Sequence, residues 1–89
     1  MRFVLLHAFP VDGSLWNAVA SRLRADGHEV LTPDLRGFGA APLPSGDPDL
    51  QRMADDVIEL LDDRPAVIAG CSMGGYVAMA VAARRPDLV

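Results

Sequence analysis

The stretch Ala66-Val67-Ile68-Ala69-Gly70-Cys71-Ser72-Met73-Gly74-Gly75 carries an unbroken apolar run into a glycine-bracketed serine. Pro65 separates this run from the segment before it, and Ala66 to Ala69 shows no polar alternation. That pattern predicts a short strand buried on both faces, as in a parallel sheet. After the turn at Gly70 to Gly75, the composition predicts a helix ending near Arg85. Gly70-Cys71-Ser72-Met73-Gly74 is therefore a Gly-x-Ser-x-Gly sequence placed between a strand and a helix. A turn that presents a nucleophilic serine is strained, and flanking glycines leave room where a side chain would collide with neighbouring backbone. Such a turn lifts the Ser72 hydroxyl above the sheet edge and aims the Met73 amide at the oxygen under attack, with the helix N-terminus adding positive potential. The same spacing also fits a plain glycine-rich turn in which Ser72 caps the helix through its side-chain oxygen.

Working outward, Phe3 to Ala8 is a second continuous apolar run and predicts a central strand. Asp12, Gly13 and Ser14 form a turn and helix start. Leu15, Trp16, Val19, Ala20 and Leu23 then recur at helical spacing until Gly27 stops the helix. Glu29 to Thr32 predicts another short strand, ended by Pro33, which has no amide hydrogen for a ladder. From Asp34 to Pro48 the density of glycine and proline predicts a long surface loop. Asp47 reads as an N-cap with Pro48 at the first helical position, and Leu50, Met53, Val57, Leu60 and Leu61 mark an amphipathic helix with an acidic outer face. Pro86 and Asp87 open a new connection, and Asp87 to Val89 reads as the approach to a further strand. Strands alternating with helices of this length imply an α/β fold with right-handed crossovers around a parallel sheet.

At 89 residues the chain accommodates one small domain with one core. A hydrophobic fraction of 51% and a charged fraction of 22% exclude a disordered chain. The net charge of -4 gives no footprint for nucleic acid or an anionic membrane. The single cysteine, Cys71, has no internal disulfide partner, and no histidine and cysteine cluster has metal-ligand spacing. The first apolar run is too short for a signal-peptide core or a membrane span. These features predict a cytoplasmic protein with no metal and no nucleic-acid or membrane partner.

Together with the Gly-x-Ser-x-Gly turn, Leu5-Leu6-His7-Ala8-Phe9-Pro10 and Asp34-Leu35-Arg36-Gly37-Phe38-Gly39 resemble, in order, three motifs of the α/β-hydrolase family. The likeness is to its small esterase, lactonase and cofactor-free haloperoxidase-like members. The second motif is similar to the family's His-Gly-Phe-Pro segment and the third to its Asp-x-Arg-Gly-x-Gly loop. The resemblance implies a partial α/β-hydrolase fold: a three-stranded parallel sheet with flanking helices and strand order 2-1-3, so that the order reverses beside the serine, where open α/β sheets bind ligands. It implies Ser72 as nucleophile, the backbone amides of Phe9 and Met73 as oxyanion donors, Gly70 and Gly74 as the glycines of the turn, and no cofactor. Ala8 stands where the family usually has glycine. A positive φ there would cost about 1 kcal/mol and shift the Phe9 amide.

The other triad members are not found by this reading. The family's catalytic acid and histidine follow the nucleophile in chain order, whereas His7 and His28 precede it. His7 reads as structural and His28 as exposed. Every aspartate except Asp87 also precedes Ser72, and the pairs Asp55 and Asp56, and Asp62 and Asp63, read as a solvated helix face. Cys71, one residue before the serine, reads as a small buried hydrophobe, and Trp16 and Met79 as helix packing. The expectation is that residues 1–89 form the N-terminal portion of a hydrolase domain, lacking the C-terminal strands, cap, acid and histidine. The parent activity would be hydrolysis of a small-molecule ester or lactone through an acyl-enzyme on Ser72, with the chain alone nearly inert. Two alternatives stand beside it. One is a non-catalytic binding or assembly module, self-associating through an open sheet edge. The other is half of a complemented hydrolase, completed by a second chain.

Overall fold

A computed structural model describes residues 1–38 and 49–89. The strands β1 (Arg2–Leu6), β2 (Glu29–Leu31) and β3 (Val67–Gly70) form one sheet in the order β2-β1-β3. Both pairings are parallel, with Phe3 opposite Val30 and Val67, and Leu6 opposite Gly70. The central strand β1 carries an apolar run without alternation because it is covered on both faces. Val4 and Leu6 point into one core and Leu5 into the other.

Helix α1 (Asn17–Ala25) covers the Leu5 face through Ala20, with Trp16 and Leu23 packed beside it. Helices α2 (Leu50–Leu61) and α3 (Met73–Arg84) lie side by side on the opposite face. Met53, Ala54, Val57 and Leu61 of α2 and Val77 and Val81 of α3 recur one helical turn apart, and they enclose Val4 and Leu6. Each fully buried aliphatic side chain there contributes about 1.5 to 3 kcal/mol of burial free energy, so this second layer holds most of the fold's stability. Arg2 ties the layers together at the amino end of the sheet. Its guanidinium donates to the carbonyls of Leu60 and Leu61 at the C-terminus of α2 and to that of Arg64 just beyond it. Its Nε lies 2.7 Å from Glu29 Oε2, an ion pair rather than an aligned hydrogen bond.

Several expectations change against this architecture. β3 lies at the sheet edge instead of being buried on both faces, and Val67 is 39% exposed. The first helical segment begins as a 3₁₀ turn (Gly13–Trp16) capped by Asp12, and the change of pitch leaves Leu15 and Val19 outside the core. The cap of α2 is Asp49, whose carboxylate accepts the Arg52 amide; the expected cap pair Asp47 and Pro48, with most of the breaker-rich loop, lies outside the described residues. The C-terminal residues fold back as a short 3₁₀ turn (Pro86–Leu88) instead of running on toward a strand. Leu88 is buried there and its carbonyl accepts the Ala66 amide.

Candidate active site

The turn between β3 and α3 follows from two backbone hydrogen bonds. The Cys71 amide donates to the Leu6 carbonyl at 3.0 Å, prolonging the β1–β3 pairing by one residue, and the Gly74 amide donates to the Cys71 carbonyl at 3.0 Å, closing a four-residue turn. Ser72 occupies the first central position of that turn with φ 53° and ψ -111°. These angles mirror the first central position of a type II turn and are normally given to glycine. A residue with a Cβ is strained there, and the surrounding structure must enforce it.

The enforcement is steric. A Cβ on Gly70 would fall on the backbone of Gly74 and Gly75, and one on Gly74 would fall on the Leu6 carbonyl, with the His7 carbonyl oxygen at 2.8 Å. Three backbones therefore touch directly, and the N-terminus of α3 is seated against the carboxyl end of β1. Ser72 is exposed, and its side chain makes no capping bond to the helix. The Gly75 and Tyr76 amides reach the Ser72 carbonyl instead. Among the described residues no hydrogen bond is made by the amide of Met73, the first residue of α3, or by that of Phe9. Both donors stand at the carboxyl ends of neighbouring strands.

Beside this turn, the chain leaving β1 is held from behind. His7 is fully buried. The Leu35 amide donates to His7 Nε2 at 2.8 Å, which places the proton on Nδ1, and Nδ1 faces the Ala8 carbonyl at 2.9 Å. Both ring nitrogens are engaged, so His7 has none left for a proton relay. Ala8 does not adopt a positive φ, so the expected cost of alanine at that position does not arise. The Phe9–Pro10 peptide is cis, and the Phe9 ring is 67% exposed with its edge on Phe38.

The remaining sequence candidates separate clearly. His28 is part-buried at the amino end of the sheet, its Nδ1 against the Met1 amine at 3.0 Å and its ring against Phe3. The length of a five-residue strand, about 15 Å, lies between it and the serine. Cys71 is exposed, contrary to the buried role expected of it, because the turn swings both residues 71 and 72 out of the sheet. Met79 is 61% exposed rather than packed, and Tyr76 on the same helix is 60% exposed.

The acidic pairs are not a merely solvated face. Asp56 takes a bidentate bond from Arg36 at 2.6 and 2.7 Å, Asp55 pairs with Arg84, and Asp63 pairs with Arg85. The hydrogen bonds that Arg36 donates to Asp56 raise its pKa further, and those that Arg85 donates to Asp87 and Asp63 raise its own. The Ser14 hydroxyl, with the Ser14 amide, holds the Asp12 carboxyl below its usual range. A shallow depression of about 280 Å³, lined by Met1, Arg2, Pro65, Ala66 and Val67, lies at the opposite end of the sheet from Ser72. Among the described residues no group of histidine, cysteine and carboxylate side chains has the geometry of a metal site, and no helix is long and apolar enough to cross a membrane.

A parallel sheet covered on both faces, with a strained serine at the carboxyl end of a strand where the strand order reverses, is the ligand-binding architecture of open α/β proteins. The chain belongs to the alpha/beta hydrolase fold family, whose model matches residues 2–89. Its relatives include a pimeloyl-[acyl-carrier protein] methyl ester esterase of Aromatoleum aromaticum, 40% identical over 97% of this chain and 33% of that protein. A putative non-heme chloroperoxidase of Synechocystis is 40% identical over 80% of this chain and 27% of that protein. A thermophilic esterase from Thermogutta terrifontis superposes with a TM-score of 0.92 at 38% identity, over 99% of this chain and 34% of that one. The chain thus spans about a third of the length of these relatives. The resemblance read from the three motifs and the 2-1-3 strand order both hold.

Proposed function

We propose that this chain carries the nucleophile and oxyanion half of a serine hydrolase that cleaves a small-molecule ester or lactone through an acyl-enzyme on Ser72. The observation that carries the reading is Ser72 itself: a non-glycine residue held at φ 53°, exposed, and making no capping bond. A plain turn would have no reason to keep a side chain in that conformation, and strain of this kind collects at functional sites. The Ser72 oxygen would attack the acyl carbon, and the resulting oxyanion would accept hydrogen bonds from the Met73 and Phe9 amides. Their value is that they are fixed before charge develops. The exposed apolar ring of Phe9, just beyond the carboxyl end of the central strand, suits a substrate with a nonpolar acyl part. The esterases among the relatives favour ester chemistry over other reactions of this fold.

In this reading the general base and the acid that orients it are supplied by further strands, because neither histidine is placed to act as the base. His7 is engaged at both nitrogens and His28 stands at the far end of the sheet. Among the described residues β3 is an edge strand with Val67 exposed, and its free side offers a place for further strands, in the same polypeptide or a partner, to bring them.

A fluorophosphonate probe with peptide mapping tests this. In the 89-residue chain, Ser72 is expected to label slowly, yet on the order of 100-fold faster than Ser14 or Ser21, because oxyanion donors act even without a base. Mixing with a polypeptide that supplies the remaining strands of a related hydrolase should accelerate labelling of Ser72 alone. No preference for Ser72 in either condition would sink the proposal. Rapid ester turnover by the chain alone, lost in Ser72→Ala, would instead overturn its incompleteness.

A further inference from the structure

The Phe9 amide needs a fixed direction to serve as an oxyanion donor, and the peptide it belongs to has a second handle. The Ala8 carbonyl and the Phe9 amide are two ends of one planar trans peptide, so whatever holds the carbonyl also aims the N–H, in the opposite direction. Two donors hold that carbonyl: His7 Nδ1 at 2.9 Å and the Val11 amide at 3.1 Å. Donation to the oxygen polarises the peptide and makes its N–H a stronger donor.

His7 is in turn held by the segment Leu35 to Phe38. The Leu35 amide fixes its tautomer, and the Phe38 ring meets the imidazole edge-on at 5.6 Å and the Phe9 ring at 5.6 Å. That segment is a tight turn, closed by the Phe38 amide on the Leu35 carbonyl at 2.9 Å with Gly37 at φ 82°. From its first central position Arg36 reaches away from His7 to α2, where it forks onto both oxygens of Asp56.

We propose that the Arg36–Asp56 pair is a positioning device for the Ala8–Phe9 peptide: it locks the 35–38 turn onto α2, and through the Leu35 amide and His7 sets the direction and strength of the Phe9 N–H. Arg36 touches no reacting atom. Its effect rests on the oxyanion role proposed for Phe9, but its physical signature does not. A fork onto a carboxylate fixes an angle as well as a distance, which is why arginine rather than lysine suits the position. The other ion pair from α2 to a distant segment among the described residues, Asp55 with Arg84, runs to α3, so it does not reach His7.

The test is NMR on the ¹⁵N-labelled 89-residue chain, comparing Arg36→Gln, Asp56→Asn and, as a control that breaks the neighbouring ion pair of α2 with Asp55, Arg84→Gln. Three signals report on the relay within the folded population: the His7 ring ¹⁵N shifts, which give the tautomer; the exchange rate of the Leu35 amide; and the shift of the Phe9 amide proton. Arg36→Gln and Asp56→Asn are expected to admit the Nε2–H tautomer, to speed Leu35 exchange about tenfold and to move the Phe9 proton upfield. Arg84→Gln should leave all three unchanged. A pair that merely stabilised the fold would lower the melting temperature in every variant without altering the His7 tautomer. Should Arg36→Gln fail to fold, the near-isosteric Asp56→Asn decides. Unchanged signals in a folded Arg36 or Asp56 variant overturn the proposal, as does an equal response in Arg84→Gln. Neither result touches the Ser72 reading, which stands on probe labelling.

Discussion

Among the described residues, two places force a non-glycine residue to positive φ, and they do so for different reasons. At the end of α2, Asp62 sits at φ 52° and ψ 49° in the left-handed helical region, followed by Asp63 at φ 56°. At the start of α3, Ser72 sits at φ 53° but ψ -111°, outside that region. The first is a common way to end a helix, and aspartate is among the residues that tolerate it. The second is tolerated by almost nothing except glycine, and three touching backbones impose it. Strain at a helix end is a by-product of stopping; at the β3–α3 turn it accompanies an exposed hydroxyl that makes no bond to its own helix.

The largest expected effect breaks the imposing contacts. In Gly74→Ala the new methyl group meets the Leu6 carbonyl, and no flexible side chain is present to yield. Either α3 lifts from β1 or the turn unwinds, at a cost of about 3 kcal/mol or more. That is a large share of what a domain of this size holds. Urea unfolding should show most of the folded baseline gone at 25 °C. A Gly74→Ala protein within about 1 kcal/mol of the parent would show that the contacts around residue 74 are looser than the geometry states.

How much of this was legible beforehand differs by region for the same physical reasons. The turn could be read because its constraints are local: two glycines, a serine and the flanking patterns lie within ten residues. Strand β1 was legible because burial on both faces removes alternation. The unbroken run also pointed to β1 as central, but Ala66 to Ala69 shows the same pattern at the sheet edge, so the full strand order came from resemblance to a family. Contacts set by distant partners were not legible. Asp56 looks like a solvated acid until Arg36, twenty residues earlier, is seen to fork onto it. Cys71 and Met79 look like core by residue type, but lie where the turn and the outer face of α3 expose them. The sequence pointed to Asp47 as the cap of α2, and only the structure shows the Asp49 carboxylate taking the Arg52 amide.

A middle-sized effect separates the strain at residue 72 from its chemistry. Ser72→Ala keeps the Cβ and with it the unfavourable backbone, so its stability should match the parent while probe labelling disappears. Ser72→Gly removes both. It should also lose labelling, but gain about 1 kcal/mol in unfolding free energy, the relief of strain exceeding the extra entropy of glycine in the unfolded chain. Equal unfolding midpoints for the two variants would mean that Ser72 is not strained, and the contrast with the end of α2 would lose its basis.

The smallest effect is at the end of α2. Asp62→Gly relieves a left-handed conformation that aspartate already bears at modest cost, and it removes a negative charge from the C-terminus of a helix, where the helix dipole disfavours one. Against these gains stand the unfolded-state entropy of glycine and the fact that Arg2 already satisfies the carbonyls of Leu60, Leu61 and Arg64. The balance is a stabilisation of about 0.5 kcal/mol, below that of Ser72→Gly, with no change in labelling. Asp63→Gly should gain less still, because the same substitution removes the carboxylate that pairs with Arg85 at 3.1 Å. If Asp62→Gly stabilised the chain more than Ser72→Gly, the greater strain would lie at the helix end, and positive φ at residue 72 would no longer mark a site held under tension for its chemistry.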